Sequence, residues 1–270
     1  SFPNEINVNT FQPSSYSYSF VTICGLKDGG FVVSWQSKDA DGDSDGISAQ
    51  MFHANGTRRG TEIIVNDQVI GRQIYPALAG LSNGGFAIAW VGPGHEGDGF
   101  GFYAKIYYSS GASSEKFQVK SFPNNEVTAP LISSLNKGFV IICAEKKEAD
   151  LDLFAQIYNE DGTKEGSEFR INTNTSGDQD YPTVAMLSVE SYIITWYGMD
   201  ESNGLFNVYA AFYHMNGTGL TPEFRVNNNV TSSNLAPSVC GLRDGSFIVA
   251  WCELSGPTSS NIYFKIYESD

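Results

Sequence analysis

The chain has 270 residues, of which 41% are hydrophobic and 13% aromatic, and its 16 basic and 30 acidic residues give a net charge of −14. This composition excludes a disordered chain. The acidity, without any Lys/Arg cluster, argues against nucleic acid or an anionic membrane surface as a partner. The apolar runs are shorter than the roughly 18 residues of a membrane-spanning helix, so we expect no membrane insertion.

Five repeats of about 54 residues cover nearly the whole chain. In each repeat a first apolar run is followed by a turn and a second run, whose last residues align at Trp35, Trp90, Cys143, Trp196 and Trp251. A polar loop, a third run rich in aromatic residues, a Gly-containing turn and a fourth run complete the unit. The pattern predicts an all-β, five-bladed β-propeller of four-stranded blades. The blades are expected at about residues 17–67, 75–121, 127–173, 180–228 and 236–270.

The fifth repeat ends before a fourth run, and the missing run has a counterpart at the other end of the chain. The N-terminal sequence Glu5-Ile-Asn-Val-Asn9 has the same Glu-apolar-x-apolar-Asn pattern as the fourth run Glu223 to Asn227. We therefore predict that a strand at residues 4–9, with Glu5, Ile6, Val8 and Asn9, completes the last blade. It does so either in the same molecule or in a neighbour by strand exchange, which would make a second copy the partner. An open array of hairpins is the remaining alternative.

The residues of the repeat resemble those of a known repeat type. Asp-Gly-Gly-Phe-Val-Val-x-Trp at Asp28 to Trp35 and Gly-x-Glu-Phe-Arg-Ile-Asn at Gly166 to Asn172 are similar to repeats of large secreted bacterial adhesins. The five-fold count also resembles that of tachylectin-like propeller lectins. This resemblance implies an extracellular module for adhesion or surface structure, and it brings no catalytic motif with it.

The expected channel lining contains no obvious catalytic group. The aligned first runs, such as Pro182 to Leu187, have no Asp, Glu or His, whereas glycoside hydrolysis needs paired carboxylates. We therefore predict that the protein is not an enzyme. The leading hypothesis is a non-enzymatic extracellular glycoprotein with a structural or adhesive role, which strand exchange could assemble into a filament. The alternative is a carbohydrate-binding lectin that uses loops on the acidic face.

The loop between the second and third runs of the first repeat suggests a calcium site. Alternating carboxylates in this loop match the opening of a calcium-binding loop, namely Asp39, Asp41, Asp43 and Asp45. Position twelve of such a loop would be Phe52, which has no carboxylate. Bound Ca²⁺ and a solvated acidic loop therefore both remain open, and no other cofactor is expected.

Other candidate residues lie in predicted loops. The repeated Trp residues are expected in the core, so variable loop residues are better candidates for ligand contact, namely His95, Phe100, Tyr197 and Met199. Asn-x-Ser/Thr occurs at Asn55, Asn174, Asn216 and Asn229, which predicts N-glycosylation of a secreted protein. The four cysteines form no metal motif, and we expect mostly free, buried thiols.

Overall fold

The computed structural model describes residues 5–11, 18–94, 99–122, 128–147, 150–256 and 258–268. Every helix-or-strand element in these ranges is a β-strand, so the all-β prediction is confirmed. Within the same ranges there is no helix of the length and hydropathy needed to cross a membrane.

In the part of the chain that the structure describes, nineteen strands form five antiparallel sheets. Sheet one contains β1 (Tyr18–Gly25), β2 (Phe31–Lys38), β3 (Asp45–Phe52) and β4 (Arg58–Ile64). Sheet two contains β5 (Ile74–Gly80), β6 (Phe86–Pro93), β7 (Phe100–Tyr107) and β8 (Phe117–Phe122). Sheet three contains β9 (Leu131–Leu135), β10 (Gly138–Lys147), β11 (Asp150–Tyr158) and β12 (Lys164–Arg170). Sheet four contains β13 (Gln179–Met186), β14 (Ser191–Asp200), β15 (Leu205–His214) and β16 (Phe224–Arg225). Sheet five has only β17 (Asn234–Gly241), β18 (Phe247–Gly256) and β19 (Ser259–Tyr267) among the described residues.

Within each sheet the strands are neighbours in chain order, as expected for consecutive hairpins. In sheets one, two and five the first hairpin turn contains a glycine with positive φ, namely Gly29 at 83°, Gly84 at 88° and Gly245 at 87°. Glycine adopts this conformation without the steric cost that a Cβ brings. The Asp-Gly and Asn-Gly pairs of the sequence therefore mark where the first strand reverses in these three sheets.

The chain divides into two compact units, residues 1–139 with 158–163 and residues 140–157 with 164–270. In the first unit a core of β-branched and aromatic side chains surrounds Trp90 and Phe86. In the second unit an equivalent core contains Val208, Phe247 and Trp251.

The repeated tryptophans lie in these cores, which confirms the sequence-based interpretation. Trp90 and Trp196 are at most 2% exposed. The indole N–H of Trp196 donates a hydrogen bond to Oε1 of Gln179 at 3.1 Å, and that of Trp251 donates to Oδ1 of Asn234 at 2.9 Å. Because a buried indole N–H needs an acceptor, these bonds tie β14 to the start of β13 and β18 to the start of β17.

An asparagine just after the fourth strand fastens that strand to the third in sheets one, three and four. Its Oδ1 accepts a hydrogen bond of 2.8 Å from the N–H of a third-strand residue, in the pairs Asn66 with Ile47, Asn172 with Leu153 and Asn227 with Val208. Its amide nitrogen also donates to the carbonyl oxygen two residues later, that of Gln68, Asn174 or Asn229. This local turn prepares the asparagine side chain for the contact with the third strand.

The N-terminal segment contacts sheet one. Residues 5–11 form no strand. The Arg58 guanidinium donates to the carbonyl oxygen of Asn7 at 2.7 Å, and Oε2 of Glu62 accepts from the N–H of Thr10 at 2.6 Å. Completion of the last blade by this segment, in the same molecule or in a neighbour, stays a prediction.

Candidate active site on sheet four

Four of the five first strands carry the same irregularity. β1, β5, β13 and β17 each shift register at one position, where a residue other than glycine has positive φ. These residues are Phe20 (52°), Tyr75 (57°), Tyr181 (52°) and Ala236 (50°). A bulky residue in this region is a steric outlier, and such strain persists where the surrounding fold enforces it, often at functional sites. The bulge also directs the side chain away from the regular strand face.

In sheet four the bulge presents an aromatic surface. Tyr181 is 60% exposed, and its ring stacks on that of Tyr197 with centroids 5.3 Å apart and planes inclined by 23°. The Tyr197 ring meets that of Phe206 edge-on at 5.1 Å. The Tyr181 ring therefore packs on Tyr197, which in turn packs on Phe206. A flat apolar face of a ligand can stack on an exposed ring that is held in this way.

Two carboxylates lie beside this platform. Asp180 precedes Tyr181 and pairs across the sheet with Tyr197. Asp178 lies two residues earlier, and its Oδ1 accepts a hydrogen bond from the N–H of Leu151 at 3.0 Å. The main-chain carbonyl of Asp178 accepts from the N–H of Met199 at 2.9 Å, which anchors the start of the strand.

Asp180 differs electrostatically from an ordinary surface carboxylate. Burial raises the pKa of Asp180, the negative charge of Asp178 raises it further, and the Tyr181 N–H, which donates to Oδ1 at 2.7 Å, opposes both. Burial also raises the pKa of Tyr197 to about 12, with further contributions from Asp180, Tyr181 and Asp178. A carboxyl group that holds its proton to higher pH beside a second carboxylate can act as a general acid.

Only the fourth repeat has an aromatic residue at the bulge directly after an acidic residue. The position of Asp180 is occupied by Ser19, Ile74, Thr128 and Leu235 in the other repeats. In the first unit Phe20 and Tyr75 also meet, edge-on at 4.5 Å, but neither follows an acidic residue. The candidate site is therefore confined to the second unit, and we call Asp178, Asp180, Tyr181, Tyr197 and Phe206 the sheet-four cluster.

Of this cluster, only Tyr197 is among the residues predicted from the sequence. Tyr197 and Met199 are on β14 and not in a loop, because the pairing of β14 with β15 continues to Asp200. Phe100 likewise starts β7 and pairs with Pro93. His95 lies outside the described residues.

Asp180 and Tyr181 are absent from the predicted residues because the repeated pattern of the first runs begins at Pro182. The strand starts three residues earlier, at Gln179. An aromatic residue also recurs just before Pro76 and Pro182, as Tyr75 and Tyr181. This recurrence is the sequence signal that indicates an earlier start of the strand.

The structure does not gather the predicted calcium ligands. Oδ2 of Asp41 accepts from the Asn66 amide at 2.6 Å, that of Asp43 from the Gly71 N–H at 2.8 Å, and that of Asp45 from Arg72 at 2.7 Å. Asp39 turns the chain with a φ of 58°. Among the described residues no group of three or more His, Cys, Asp or Glu could hold a metal ion. The loop carboxylates instead fasten the loop to the chain before β5.

The predicted glycosylation sites are accessible. Asn55, Asn174, Asn216 and Asn229 are all exposed. Each Oδ1 accepts the backbone N–H of the Ser or Thr two residues later, at 3.0 or 3.1 Å. Glycosylation itself stays a prediction.

The four cysteines form no disulfide, but only Cys143 is buried, whereas mostly buried thiols were expected. Cys24 and Cys252 are partly buried, and Cys240 is exposed.

The arrangement of sheets is shared with enzymes of known structure. An α-L-arabinanase from Penicillium chrysogenum, solved with arabinobiose, is similar with a TM-score of 0.62 and 12% identity over 93% of this chain and 82% of that one. The GH93 α-L-arabinofuranosidase of Fusarium graminearum, also with arabinobiose, gives a TM-score of 0.59 and 12% identity over 95% and 83%. The chain has a β-propeller fold. A NanB sialidase variant from Streptococcus pneumoniae gives 0.57 and 9% over 95% of this chain, which spans 60% of that protein.

No protein-family model and no curated protein matches the chain. The adhesin-type resemblance therefore has no support beyond the repeated sheets themselves.

These likenesses correct two predictions. The similar structures named above are glycoside hydrolases, which contradicts both predictions, that of a non-enzymatic structural or adhesive module and that of a protein that is not an enzyme. The lectin alternative gains no support from them. The error has a structural cause, since the search for inner-strand carboxylates stopped short of Asp180.

Proposed function

We propose that the protein is a glycoside hydrolase whose active site is the sheet-four cluster. The observation that carries the proposal is the exposed Tyr181 ring, stacked on Tyr197, directly after a half-buried carboxyl group with a raised pKa. Sugar rings have an apolar face that stacks on aromatic side chains, and glycosidic bond cleavage requires a protonated acid beside a second carboxylate. The likeness of the fold to arabinan-degrading enzymes and a sialidase supports the same proposal.

Asp180 is the general acid in this proposal. Its proton passes to the glycosidic oxygen as the bond from that oxygen to the anomeric carbon breaks. Asp178 is the second carboxylate, and its negative charge stabilises the positive charge that develops on the sugar ring. Water supplies the hydroxyl group at the anomeric carbon, and the proton that it releases restores Asp180.

The surroundings of the two carboxylates suit this division of roles. Asp178 immediately precedes β13, and Asp180 is the second residue of that strand. The side chain of Asp178 accepts a hydrogen bond from the Leu151 N–H, and that of Asp180 accepts one from the N–H of Tyr181. Burial raises the pKa of Asp180, and the negative charge of Asp178 adds to this effect.

The substrates to test first follow from the likenesses. Two of the similar structures were solved with arabinobiose, and a third is a sialidase. The panel is arabinobiose, linear arabinan, p-nitrophenyl α-L-arabinofuranoside and sialyllactose, with released sugar measured by chromatography. We expect hydrolysis of at least one member of the panel by the native chain.

The variants assign the activity to the site. Asp180→Asn is expected to lower kcat/KM by about 10² to 10⁴, the range typical of a lost general acid. The matched control is Asp244→Asn, which changes a fully exposed turn carboxylate of sheet five that accepts hydrogen bonds from Ser246. Absence of hydrolysis on the whole panel, or equal activity of Asp180→Asn and Asp244→Asn, would refute the proposal.

Secretion belongs to the same proposal and is supported by the four exposed glycosylation sequences. We expect the protein purified from a eukaryotic secretory host to lose mass on treatment with an N-glycan-removing amidase. An unchanged intact mass would contradict this part of the proposal.

A further inference from the structure

The segment that carries Asp178 is fastened to sheet three by two reciprocal hydrogen bonds. The Leu151 N–H donates to Oδ1 of Asp178 at 3.0 Å. The N–H of Gly177, the residue before Asp178, donates to Oδ2 of Asp150 at 3.1 Å. Asp150 and Leu151 are the first two residues of β11. Each segment therefore contributes one N–H and one carboxylate, and the two bonds join the same neighbouring residues.

Gly177 is also held from the side of sheet four. The Gln179 amide nitrogen donates to the Gly177 carbonyl oxygen at 3.2 Å, and Oε1 of the same side chain accepts the buried Trp196 indole N–H. Gly177 has a φ of 73°, and a Cβ at this position would lie only 2.8 Å from Cβ of Met199. A side chain does not fit there, so the position requires glycine. With its carbonyl and its Cα both fixed, Gly177 presents its N–H to Asp150 in one orientation.

The first unit repeats this contact but positions a residue of opposite charge. Gly71 has the repeat position of Gly177, and its N–H donates to Oδ2 of Asp43 at 2.8 Å. The next residue is Arg72, whose Nε donates to a carboxylate of β3 at 2.7 Å. In the second unit the next residue is Asp178. The contact between the glycine and a carboxylate is therefore part of the fold in both units, and the residue that follows the glycine is what differs.

We propose that Asp150 is a positioning residue of the proposed active site and that it holds Asp178 in place through the Gly177 N–H. The inference rests on the proposed function, in which the charge of Asp178 stabilises the positive charge that develops on the sugar ring. Such stabilisation needs a group whose position is fixed before the reaction begins. A displacement of about 1 Å can cost about 10² in rate.

The hydrogen bond that Asp150 accepts, and not its charge, is the feature that positions Asp178. An asparagine at position 150 keeps an oxygen acceptor for the Gly177 N–H but carries no charge. An alanine keeps neither the acceptor nor the charge. The variants Asp150→Asn and Asp150→Ala therefore separate the two effects.

The kinetic test compares these two variants on the substrate that the panel identifies. We expect Asp150→Ala to lower kcat by about tenfold with KM nearly unchanged, because the charge of Asp178 acts in the transition state. Asp150→Asn should restore kcat to within about threefold of the native value, since the acceptor remains.

The matched control is Asp43→Ala, which removes the same type of acceptor from Gly71 in the first unit. It should lower the melting temperature about as much as Asp150→Ala does and leave kcat at the native value, because Gly71 precedes Arg72 and not Asp178. A native kcat in Asp150→Ala would overturn the proposal. So would a loss in Asp150→Asn, or in Asp43→Ala, equal to that in Asp150→Ala.

The second test does not depend on hydrolysis. Hydrogen exchange of the Leu151 amide, followed by NMR, reports on its bond to Asp178. Because the two bonds join the same segments, loss of the Asp150 acceptor should loosen both. We expect the Leu151 amide to exchange about tenfold faster in Asp150→Ala, and Asp150→Asn and Asp43→Ala to keep the native rate. Native protection of Leu151 in Asp150→Ala, or a Leu151 amide that already exchanges freely in the native chain, would overturn the proposal.

The two tests separate this inference from the proposed function. Hydrolysis by the native chain together with a native kcat in Asp150→Ala would remove the positioning role and leave the function standing. Faster Leu151 exchange in Asp150→Ala, without hydrolysis of any panel member by the native chain, would confirm that Asp150 holds Asp178 and would remove the function.

Discussion

Sheets four and five are built from the same repeat and differ where function is expected. Both have a buried tryptophan, Trp196 or Trp251, whose indole N–H reaches a first-strand amide. At the bulge, sheet four has Asp180-Tyr181, whereas sheet five has Leu235-Ala236. Sheet four has its fourth strand, and sheet five does not among the described residues. The repeat therefore provides a constant scaffold, and the bulge and the outer edge are where one sheet departs from another.

The bulge is suited to such variation because its backbone conformation recurs in four sheets while the side chain at this position changes. The positive φ recurs at Phe20, Tyr75, Tyr181 and Ala236 although the side chains differ. The backbone is thus determined by the neighbouring strands, and the side chain at this position is not needed for the core. A new chemical group can be placed there without disturbing the packing of the sheet.

The largest expected effect contrasts the third strands of the two sheets. Val208→Asp places a charge at a fully buried position and should lower the free energy of unfolding by about 4 kcal/mol. Ile262→Asp changes the equivalent but exposed position and should cost at most about 0.5 kcal/mol. Urea unfolding measures both. Equal costs would contradict the difference in exposure between Val208 and Ile262.

A smaller effect is expected from giving sheet four the bulge residue of sheet five. Tyr181→Ala removes the exposed ring that stacks on Tyr197 and should raise KM about tenfold, which corresponds to about 1.4 kcal/mol of stacking. The value of kcat should change much less, because Asp178 and Asp180 remain. Phe20→Ala, at the equivalent bulge of sheet one, is the control and should leave KM unchanged. An unchanged KM in Tyr181→Ala would show that the ring of Tyr181 does not contact the substrate.

The smallest effect concerns the strain that sheet five retains. Ala236 has a φ of 50°, which costs a residue with a Cβ roughly 1 to 2 kcal/mol. Ala236→Gly relieves this strain but loses about 0.5 to 1 kcal/mol through the greater freedom of the unfolded chain. A net stabilisation of about 0.5 kcal/mol should appear in urea unfolding. A net loss would mean that the bulge is not strained as described.

The sequence predicted the parts of the structure that the repeat dictates. The all-β class, the hairpin turns at Gly29 and Gly84 and the buried tryptophans follow from periodicity and turn chemistry. The site was missed because Asp180 departs from the repeat, and an alignment of repeats highlights what they share. The contacts of Glu5–Asn9 with sheet one also could not be predicted from the sequence. The repeated pattern indicates which strand of a blade the segment resembles, but it does not indicate which residues the segment contacts.

The most direct test of the proposed function is the pH dependence of kcat/KM for the substrate that the panel identifies. A general acid works only while protonated, so activity should fall as pH rises through the pKa of Asp180, which burial and Asp178 raise above its ordinary value of 3.8. The account predicts that this fall is present in the native chain and absent from the residual activity of Asp180→Asn. An identical pH profile and rate in Asp180→Asn would contradict it.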